Sequence, residues 1–193
     1  MAFATITTGT MANSAGQRTD DQLMMGYARG DRGAFDQLYA RYKQPLYHYL
    51  YRNCGTRNQV DELFQDVWLR VIASAPRFRN RGRFRSWIFT LAHNCLVDYY
   101  RKADKQSIQT SREPEISGAN ETQAVLLGVE LAQSIQQAIA SLPPAQREAY
   151  ILREHSGFSI REIGDIQNIS PEAAKSRLRY AYGKLRSLLE DQI

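Results

Sequence analysis

The chain has 193 residues, of which 43% are hydrophobic, and it carries a formal net charge of +5 with a sequence pI near 9.3. That length suits one domain or two small ones with packed cores. No apolar run reaches the roughly 18 residues that a membrane-spanning helix needs, so we expect no direct insertion into a membrane. The basic residues concentrate in segments 77–105 and 170–189, on either side of an acidic connector at 106–130. Patches of this kind favour a polyanionic partner.

The N terminus and the cysteines indicate the compartment. Residues 1–19 are rich in Thr, Ala, Gly and Ser, and they lack the basic start and apolar core of a secretory signal. We expect them to form a disordered leader. Cys54 and Cys95 lie far apart and match no metal or redox spacing, which is typical of reduced thiols. The sequence therefore predicts a cytoplasmic protein that binds no cofactor and no metal.

Helical periodicity begins near residue 20 and predicts three helices before Pro76. Thr19 or Asp20 can cap a short first helix that ends at Gly30, and an apolar stripe from Phe35 onward predicts the second. The third helix lies in the segment NQVDELFQDVWLRVIASA. Its predicted buried stripe consists of Val60, Leu63, Phe64, Val67 and Val71. Its opposite side carries Asp61, Glu62, Gln65, Asp66 and Leu69.

The segment RFRNRGRFRSWIF places an arginine at every second position from Arg77 to Arg85. Alternation with period two is typical of a half-buried strand, whereas arginines interleaved with aromatics also mark nucleic-acid surfaces. The chain has no other convincing run of this period, and an isolated strand would leave its backbone groups unpaired. We therefore predict a basic loop over residues 77–83, with Gly82 at its turn, and then a helix over about 84–102.

Two neighbouring stripes run along this fourth helix. The core stripe is expected to consist of Phe84, Ile88, Leu91, Cys95 and Tyr99. The second stripe offers a stacking ring, a hydroxyl, an amide and a cation, and aromatic side chains stack on unpaired bases with about 1–3 kcal/mol per base. Trp87 could instead belong to the core, but the adjoining arginines favour a DNA surface. The second stripe consists of Trp87, Thr90, Asn94, Val97 and Arg101.

A flexible linker is predicted between two helical domains. Residues 104–121 are polar and aperiodic and contain Pro114 and Gly118, a composition typical of linkers. A second helical block starts at residue 122, and Pro144 is well placed as the first residue of a further helix. We therefore predict an all-α protein with two small domains, at residues 20–103 and 122–190.

The C-terminal domain carries the signals of a helix-turn-helix. Ser159 and Glu162 match a capping box, Asn168 tolerates the left-handed conformation that a tight turn needs, and Ser170 with Pro171 opens the next helix. The second helix would enter a major groove. A plain helical bundle with a solvated charged face is the alternative. The residues expected on the exposed face of that helix are Glu172, Lys175, Ser176, Arg179 and Tyr180.

With these elements in order, residues 20–189 resemble bacterial RNA polymerase sigma factors of the extracytoplasmic-function (ECF) group, in the sigma-70 family. DELFQDVWLRVI resembles the polymerase-binding helix of that family, and RFRNRGRFRSWIFTLAHNCLVDYYRK resembles the segment that melts and reads the −10 promoter element. LPPAQREAYILREHSGFSIREIGDIQNISPEAAKSRLRYAYGKLR resembles the domain that binds the −35 element. The resemblance implies an alternative sigma factor that binds core RNA polymerase and directs promoter-specific initiation, without an active site of its own.

The resemblance also implies partners and site residues. The partners are the coiled coil and flap of core polymerase, promoter DNA and an anti-sigma factor, and no obligate homo-oligomer is implied. The implied polymerase-binding residues are Asp61, Glu62, Gln65, Asp66 and Leu69. A pocket for a flipped base is implied at Ser74, Phe78, Phe89, Leu91 and Asn94. All predicted −10 contacts are Ser74, Phe78, Arg79, Arg81, Arg85, Trp87, Phe89, Thr90, Leu91, Asn94, Arg101 and Lys102. The predicted −35 contacts are Glu172, Lys175, Ser176, Arg177, Arg179 and Tyr180.

Two departures from the family pattern and two rival functions remain at this stage. Gln167–Asn168 stands where the family often has Leu-Gly, and Gly164 stands where it often has Ala.

A conventional helix-turn-helix regulator would bind duplex DNA as a symmetric dimer and would not need the acidic third helix. A phosphodiester-cleaving enzyme would need carboxylates that hold a divalent metal in a cleft. The acidic face of the third helix is the nearest candidate for such a site, but a face toward a partner or solvent explains it better.

Overall fold

The computed structural model describes residues 18–54, 56–79, 82–107 and 134–190. Within these ranges the chain is helical and contains no strand, so the all-α prediction is confirmed. The N-terminal domain contains α1 (Asp20–Ala28), α2 (Arg32–Cys54), α3 (Arg57–Ser74), a 3-10 turn (Ala75–Arg77) and α4 (Phe84–Ser107). The C-terminal domain contains α5 (134–140), α6 (Pro144–Tyr150), a π-turn (Ile151–His155), α7 (Ile160–Gln167) and α8 (Pro171–Glu190). Residues 1–17 of the predicted leader, and the predicted linker from residue 108 onward, lie outside the described residues.

The first helix begins at one of its two predicted caps. Thr19 forms a capping box with Gln22: its hydroxyl oxygen accepts from the Gln22 N–H at 3.2 Å, and its own N–H donates to Gln22 Oε1 at 2.9 Å. This satisfies backbone donors that the first turn would otherwise leave unpaired. Gly30, with φ of 98°, follows the helix in a conformation that glycine adopts readily.

The buried side of α3 differs from its prediction at one position. Val60, Leu63, Val67 and Val71 are buried as expected, but Phe64 is only half-buried. Trp68 takes the fifth buried place, with 6% of its surface exposed. Both rings belong to the same helical face, and the larger indole is the one that packs centrally, against α2.

The arginine-rich segment is a loop, as predicted, in the residues that the structure describes. After the 3-10 turn, residues 78, 79, 82 and 83 are neither helical nor extended into a ladder. Buried Asp21 accepts from the backbone N–H groups of Gly82 at 3.1 Å and Phe84 at 3.2 Å, so a carboxylate from α1 stabilises the start of α4. The helix α4 continues through Ser107, beyond its predicted end near residue 102.

The helix-turn-helix signals appear as predicted. Ser159 Oγ accepts from the Glu162 N–H at 3.3 Å, and the Ser159 N–H donates to Glu162 Oε2 at 2.9 Å, which completes the capping box. Asn168 is left-handed, with φ of 52° and ψ of 49°. Ser170 Oγ accepts from the Ala173 N–H at 3.1 Å and caps α8. Each local signal therefore occupies the position that its chemistry requires.

Gly164 leaves room for the backbone of the turn between α7 and α8. A methyl group added there would lie 2.9 Å from the backbone oxygen of Ile169, whereas one added at Gly183 in α8 would meet nothing within 4 Å. We expect Gly164→Ala to lower the free energy of unfolding by about 1–2 kcal/mol, because the turn must shift. The matched change Gly183→Ala should raise it by up to about 1 kcal/mol. Urea denaturation followed by circular dichroism measures both, and equal stability of the two variants would contradict this account.

The two domains pack against each other through α2 and α4 on one side and the π-turn and α7 on the other. Their buried apolar residues form one continuous cluster that includes Phe89 of the N-terminal domain and Phe158 of the C-terminal domain. Among the described residues, none of the helices is both long enough and apolar enough to cross a membrane.

Candidate polymerase and nucleic-acid interfaces

The acidic side of α3 is a continuous exposed surface. Its five predicted polymerase-binding residues are all exposed, and Leu69 leaves 62% of its surface open to solvent. Ile72, one turn further along, is also exposed, at 41%, and extends the apolar part of the face. The sequence analysis missed Ile72, although its spacing of three from Leu69 was a usable signal. The surface combines an apolar patch with carboxylates. The exposed predicted residues are Asp61, Glu62, Gln65, Asp66 and Leu69.

A second surface is an open cleft of about 370 Å³ between the arginine loop and α4. Four predicted −10 contacts lie in its wall, and the ring centroids of Phe78 and Trp87 are 5.1 Å apart. The wall also contains residues that the prediction did not single out. The arginines among them belong to the alternating run, which was their signal in the sequence. The predicted residues in the wall are Phe78, Arg79, Trp87 and Thr90. The additional ones are Asp21, Arg77, Arg83, Ser86 and Asp165.

The local fold explains how the rings reach this cleft. The 3-10 turn ends at Arg77, and the extended backbone of Phe78 then turns the chain toward α4. The ring centroid of buried Phe84 lies 5.8 Å from that of Phe78 and 5.5 Å from that of Trp87, so Phe84 packs against both rings and supports them. The Thr90 hydroxyl donates to the Ser86 carbonyl at 2.9 Å, which fixes its rotamer. The cleft therefore joins supported aromatic rings to guanidinium groups, a combination that can stack a base and bind a phosphate.

The remaining predicted −10 contacts are spread over a wider area. Phe89 is only 2% exposed and packs against the rings of Tyr49 at 5.2 Å and Phe158 at 4.9 Å. In this arrangement of the domains it is closed to DNA. Of the five residues implied for the base pocket, Phe78 alone is in the wall of the cleft. Ser74 and Leu91 are half-buried, and Asn94, Arg101 and Lys102 are exposed along α4. Arg81 lies outside the described residues.

The third surface is the N-terminal half of α8. Glu172, Lys175, Arg179 and Tyr180 are exposed there, and the Arg179 guanidinium lies 5.4 Å from the centre of the Tyr180 ring. The other two predicted −35 contacts are half-buried. Arg177 is one of them, and its Nη1 donates to Gln167 Oε1 at 2.9 Å. The other is Ser176.

The thiols of Cys54 and Cys95 are unreactive because they are buried and protonated. Burial raises the pKa of Cys54 to about 12 and the pKa of Cys95 to about 11, so both thiols are protonated at neutral pH. No group of three or more His, Cys, Asp or Glu side chains within the described ranges is arranged to hold a metal ion.

A helix-turn-helix domain joined to a domain with an aromatic and arginine-lined cleft defines a two-domain helical DNA-binding protein. Comparison with known proteins identifies its family. The model of Sigma-70 region 2 matches residues 38–106, and the model of Sigma-70 region 4 matches residues 132–185. RNA polymerase sigma factor CarQ of Myxococcus xanthus is 32% identical over 166 residues, which cover 86% of this chain and 95% of CarQ. ECF RNA polymerase sigma factor SigM of Mycobacterium tuberculosis is 30% identical over 173 residues, 90% of this chain and 86% of SigM.

Solved structures share the fold. CnrH, in complex with the cytosolic domain of CnrY, matches with a TM-score of 0.68 and 24% identity over 90% of this chain and 99% of CnrH. RpoE of Bartonella quintana, in complex with the anti-sigma factor NepR, matches with a TM-score of 0.68 and 23% identity over 81% of this chain and 96% of RpoE. The chain belongs to the ECF group of RNA polymerase sigma factors. It is an alternative sigma factor, which directs promoter-specific transcription initiation.

Proposed function

We propose that this sigma factor uses its three exposed surfaces for three separate contacts. The acidic side of α3 binds a coiled coil of the largest core polymerase subunit, the cleft at α4 binds and melts the −10 element, and the N-terminal half of α8 reads the −35 element. The cleft is the observation that carries the proposal, because it brings Phe78 and Trp87 together with several arginines. A surface for duplex DNA alone would not need open, supported aromatic rings.

The α3 surface suits a basic protein partner. Asp61, Glu62 and Asp66 share the exposed side of α3 with Leu69, which is the most exposed large apolar side chain among the described residues. Protein interfaces concentrate their binding free energy in a few buried side chains, and the surrounding charges select the partner and speed association. These carboxylates would direct Leu69 and the neighbouring Ile72 onto a basic coiled coil. The polymerase flap is the second contact that we assign to the holoenzyme.

The cleft suits an unpaired base and its flanking phosphates. Extruding a base from a duplex costs a few kcal/mol, and stacking on an aromatic ring returns about 1–3 kcal/mol. Phe78 and Trp87 supply rings, Thr90 supplies a hydroxyl, and the arginines around the cleft bind phosphates. Melting therefore needs only binding free energy. We assign no catalytic activity to the chain itself, since the polymerase supplies the chemistry.

The α8 surface suits a major groove. Arg and Lys side chains recognise guanine edges and phosphates, and Lys175 and Arg179 lie on the exposed face of the second helix of the helix-turn-helix. This surface binds duplex DNA while the cleft binds the melted strand. A single chain then recognises two promoter elements, and no obligate homo-oligomer is required.

We also propose an anti-sigma partner. CnrH and RpoE share the fold; CnrH was solved in complex with the cytosolic domain of CnrY, and RpoE in complex with the anti-sigma factor NepR. A partner of this kind would block holoenzyme assembly most directly by covering the polymerase-facing helices. Pull-down of the chain with a candidate inhibitor, in competition with core polymerase, tests this overlap: simultaneous binding of both would contradict it.

The predicted base-pocket residue Asn94, which is exposed on α4 outside the wall of the cleft, is tested separately. We expect Asn94→Ala to reduce open-complex formation on duplex promoters by about tenfold, because an amide contact to an extruded base is lost and the base edge is left unpaired. Binding to core polymerase should be unchanged. Permanganate footprinting measures melting, and a premelted promoter serves as the control on which the defect should shrink. Unchanged melting of the duplex promoter would remove Asn94 from the site.

A further inference from the structure

A buried glutamine connects the recognition helix α8 to the helix α6. Gln167, the last residue of α7, is 5% exposed, and it stands where the family often has leucine, so the family resemblance gave it no role. Its Oε1 accepts from Arg177 Nη1 at 2.9 Å. Its Nε2 donates to Glu148 at 2.9 Å and lies 3.4 Å from the carbonyl oxygen of Ala145. Both ends of the buried amide are therefore paired, as a buried polar group requires.

The carboxylate of Glu148 fixes the direction in which this amide points. An ionised carboxylate only accepts hydrogen bonds and a guanidinium only donates them, so the amide nitrogen faces Glu148 and the amide oxygen faces Arg177. Glu148 is 6% exposed and is itself held in place. The Tyr49 hydroxyl donates to its Oε1, and His93 Nδ1 lies 2.7 Å from the same oxygen. One orientation of the Gln167 amide thus satisfies both of its neighbours.

The glutamine also keeps two opposite charges apart. Arg177 donates to the neutral amide oxygen, and none of the ion pairs among the described residues involves its guanidinium. A carboxylate in the same place would bind the guanidinium more strongly, through two parallel hydrogen bonds, and would compete with DNA. A guanidinium has five N–H donors, and the bond to Gln167 uses one of them. The contact therefore orients Arg177 and leaves its charge for another partner.

Arg177 lies at one edge of the exposed face of α8. Around the helix it comes between the exposed side chain of Tyr180 and the buried side chain of Ala181, and it is itself half-buried. When a recognition helix enters a major groove, the middle of its exposed face meets base edges, whereas its flanks lie nearer the sugar-phosphate backbone. The position of Arg177 therefore suits a phosphate, while Lys175 and Arg179 occupy the middle of the face.

We propose that Gln167 is a positioning residue for Arg177, which binds a phosphate of the −35 element at the edge of the major groove. Glu148 orients the amide, the amide orients the guanidinium, and the neutral oxygen leaves the positive charge available to DNA. The inference rests on the proposed assignment of Arg177 to the −35 surface. It adds that buried side chains of α6 and α7 set the promoter affinity of α8 without contacting DNA.

A double-mutant cycle in the holoenzyme tests this role. Gln167→Met keeps an unbranched side chain of similar length and removes both hydrogen bonds. The probe is a fluorescein-labelled duplex promoter fragment selected by run-off transcription. Arg177→Ala should weaken binding about tenfold and Gln167→Met about fivefold, because the second variant keeps the charge and loses only its orientation. The double variant should bind no more weakly than Arg177→Ala alone, since the glutamine acts through the arginine.

Two further variants control for stability. Tyr182→Phe removes a hydroxyl of α8 that donates to Glu154, and it should bind the promoter like the wild type. Gln167→Asn keeps the amide on a side chain one methylene shorter, which cannot reach both partners; it should act like Gln167→Met and replaces it if that variant misfolds. Losses from Gln167→Met and Arg177→Ala that multiply in the double variant overturn the inference, because the glutamine then acts by a route other than Arg177.

The salt dependence of binding separates this inference from the −35 assignment on which it rests. Arg177→Ala should lower the slope of log K against log salt by about one, because one phosphate contact fewer is made. If Arg177→Ala binds with the affinity and the slope of the wild type, Arg177 does not belong to the −35 surface. If Arg177→Ala weakens binding and both Gln167 variants bind like the wild type, the −35 assignment stands and the positioning role of Gln167 is wrong.

Discussion

Lysine substitutions at Asp61 and Asp66 are expected to weaken binding to core RNA polymerase at least about 100-fold and to abolish promoter-specific transcription. Both side chains are exposed on α3, so the fold should tolerate the change. Reversal of the two charges replaces attraction to a basic partner by repulsion, because like charges that face each other at an interface cost several kcal/mol. The hydrogen bond from the Tyr47 hydroxyl to Asp61, 3.0 Å long, is lost as well, with a minor effect on stability.

Biolayer interferometry with immobilised core polymerase measures this effect. Asp36→Lys reverses an exposed aspartate on α2 and serves as the control for charge alone. The control should bind polymerase like the wild type at physiological salt. Loss of polymerase binding with intact promoter-specific transcription would contradict the assignment of α3, as would undiminished binding by the double variant.

Alanine substitutions at Lys175 and Arg179 are expected to cause the second large effect, a loss of promoter binding. Each side chain that pairs with a base edge contributes about 1–3 kcal/mol of discrimination. The double alanine variant should therefore lower binding of the holoenzyme to a promoter at least about 30-fold, while binding to core polymerase stays unchanged. The salt dependence of promoter binding should also become shallower, because fewer counterions are released.

The same helix supplies the matched control for this variant. Lys184 and Arg186 are exposed in the C-terminal half of α8, so their double alanine variant removes equal charge from the same element. If recognition depends on position, this control keeps nearly full promoter binding in an electrophoretic mobility shift assay. Equal losses in the two double variants would mean that α8 contributes only diffuse positive charge, and that its N-terminal half does not read the −35 element.

The helix-turn-helix was predictable residue by residue because its signals are local. A capping box needs only Ser159 and Glu162 three residues apart, and the left-handed turn needs a residue such as Asn168. The structure confirms these features with hydrogen bonds and dihedral angles. The exposed side of α3 was equally accessible, since helical period alone separates Asp61 from the buried Val60. Periodicity predicts which face of a helix a residue occupies, but it does not predict that four residues line one cleft. The structure supplies that information.

Other features depend on contacts that no local pattern encodes. Tyr49 and Glu148 are 99 residues apart, and nothing in the periodicity of α2 or α6 pairs a tyrosine with a glutamate. Phe89 was assigned to the DNA pocket because the family resemblance implied it, yet in the observed arrangement its ring packs against that of Phe158. The choice of Trp68 over Phe64 for the core depends on which ring best fills the space beside α2. Packing between elements decides such questions, and it is only known once the fold is formed.

Run-off transcription tests the central claim most directly. Purified core RNA polymerase would be assayed with and without this chain on a library of candidate promoter fragments. A discrete transcript that requires both components is the expected result, and its start site would define the −10 and −35 elements that the chain recognises. If no fragment yields such a transcript while the chain alone shifts duplex DNA as a dimer, the chain acts as a conventional helix-turn-helix regulator and the three-surface assignment is wrong.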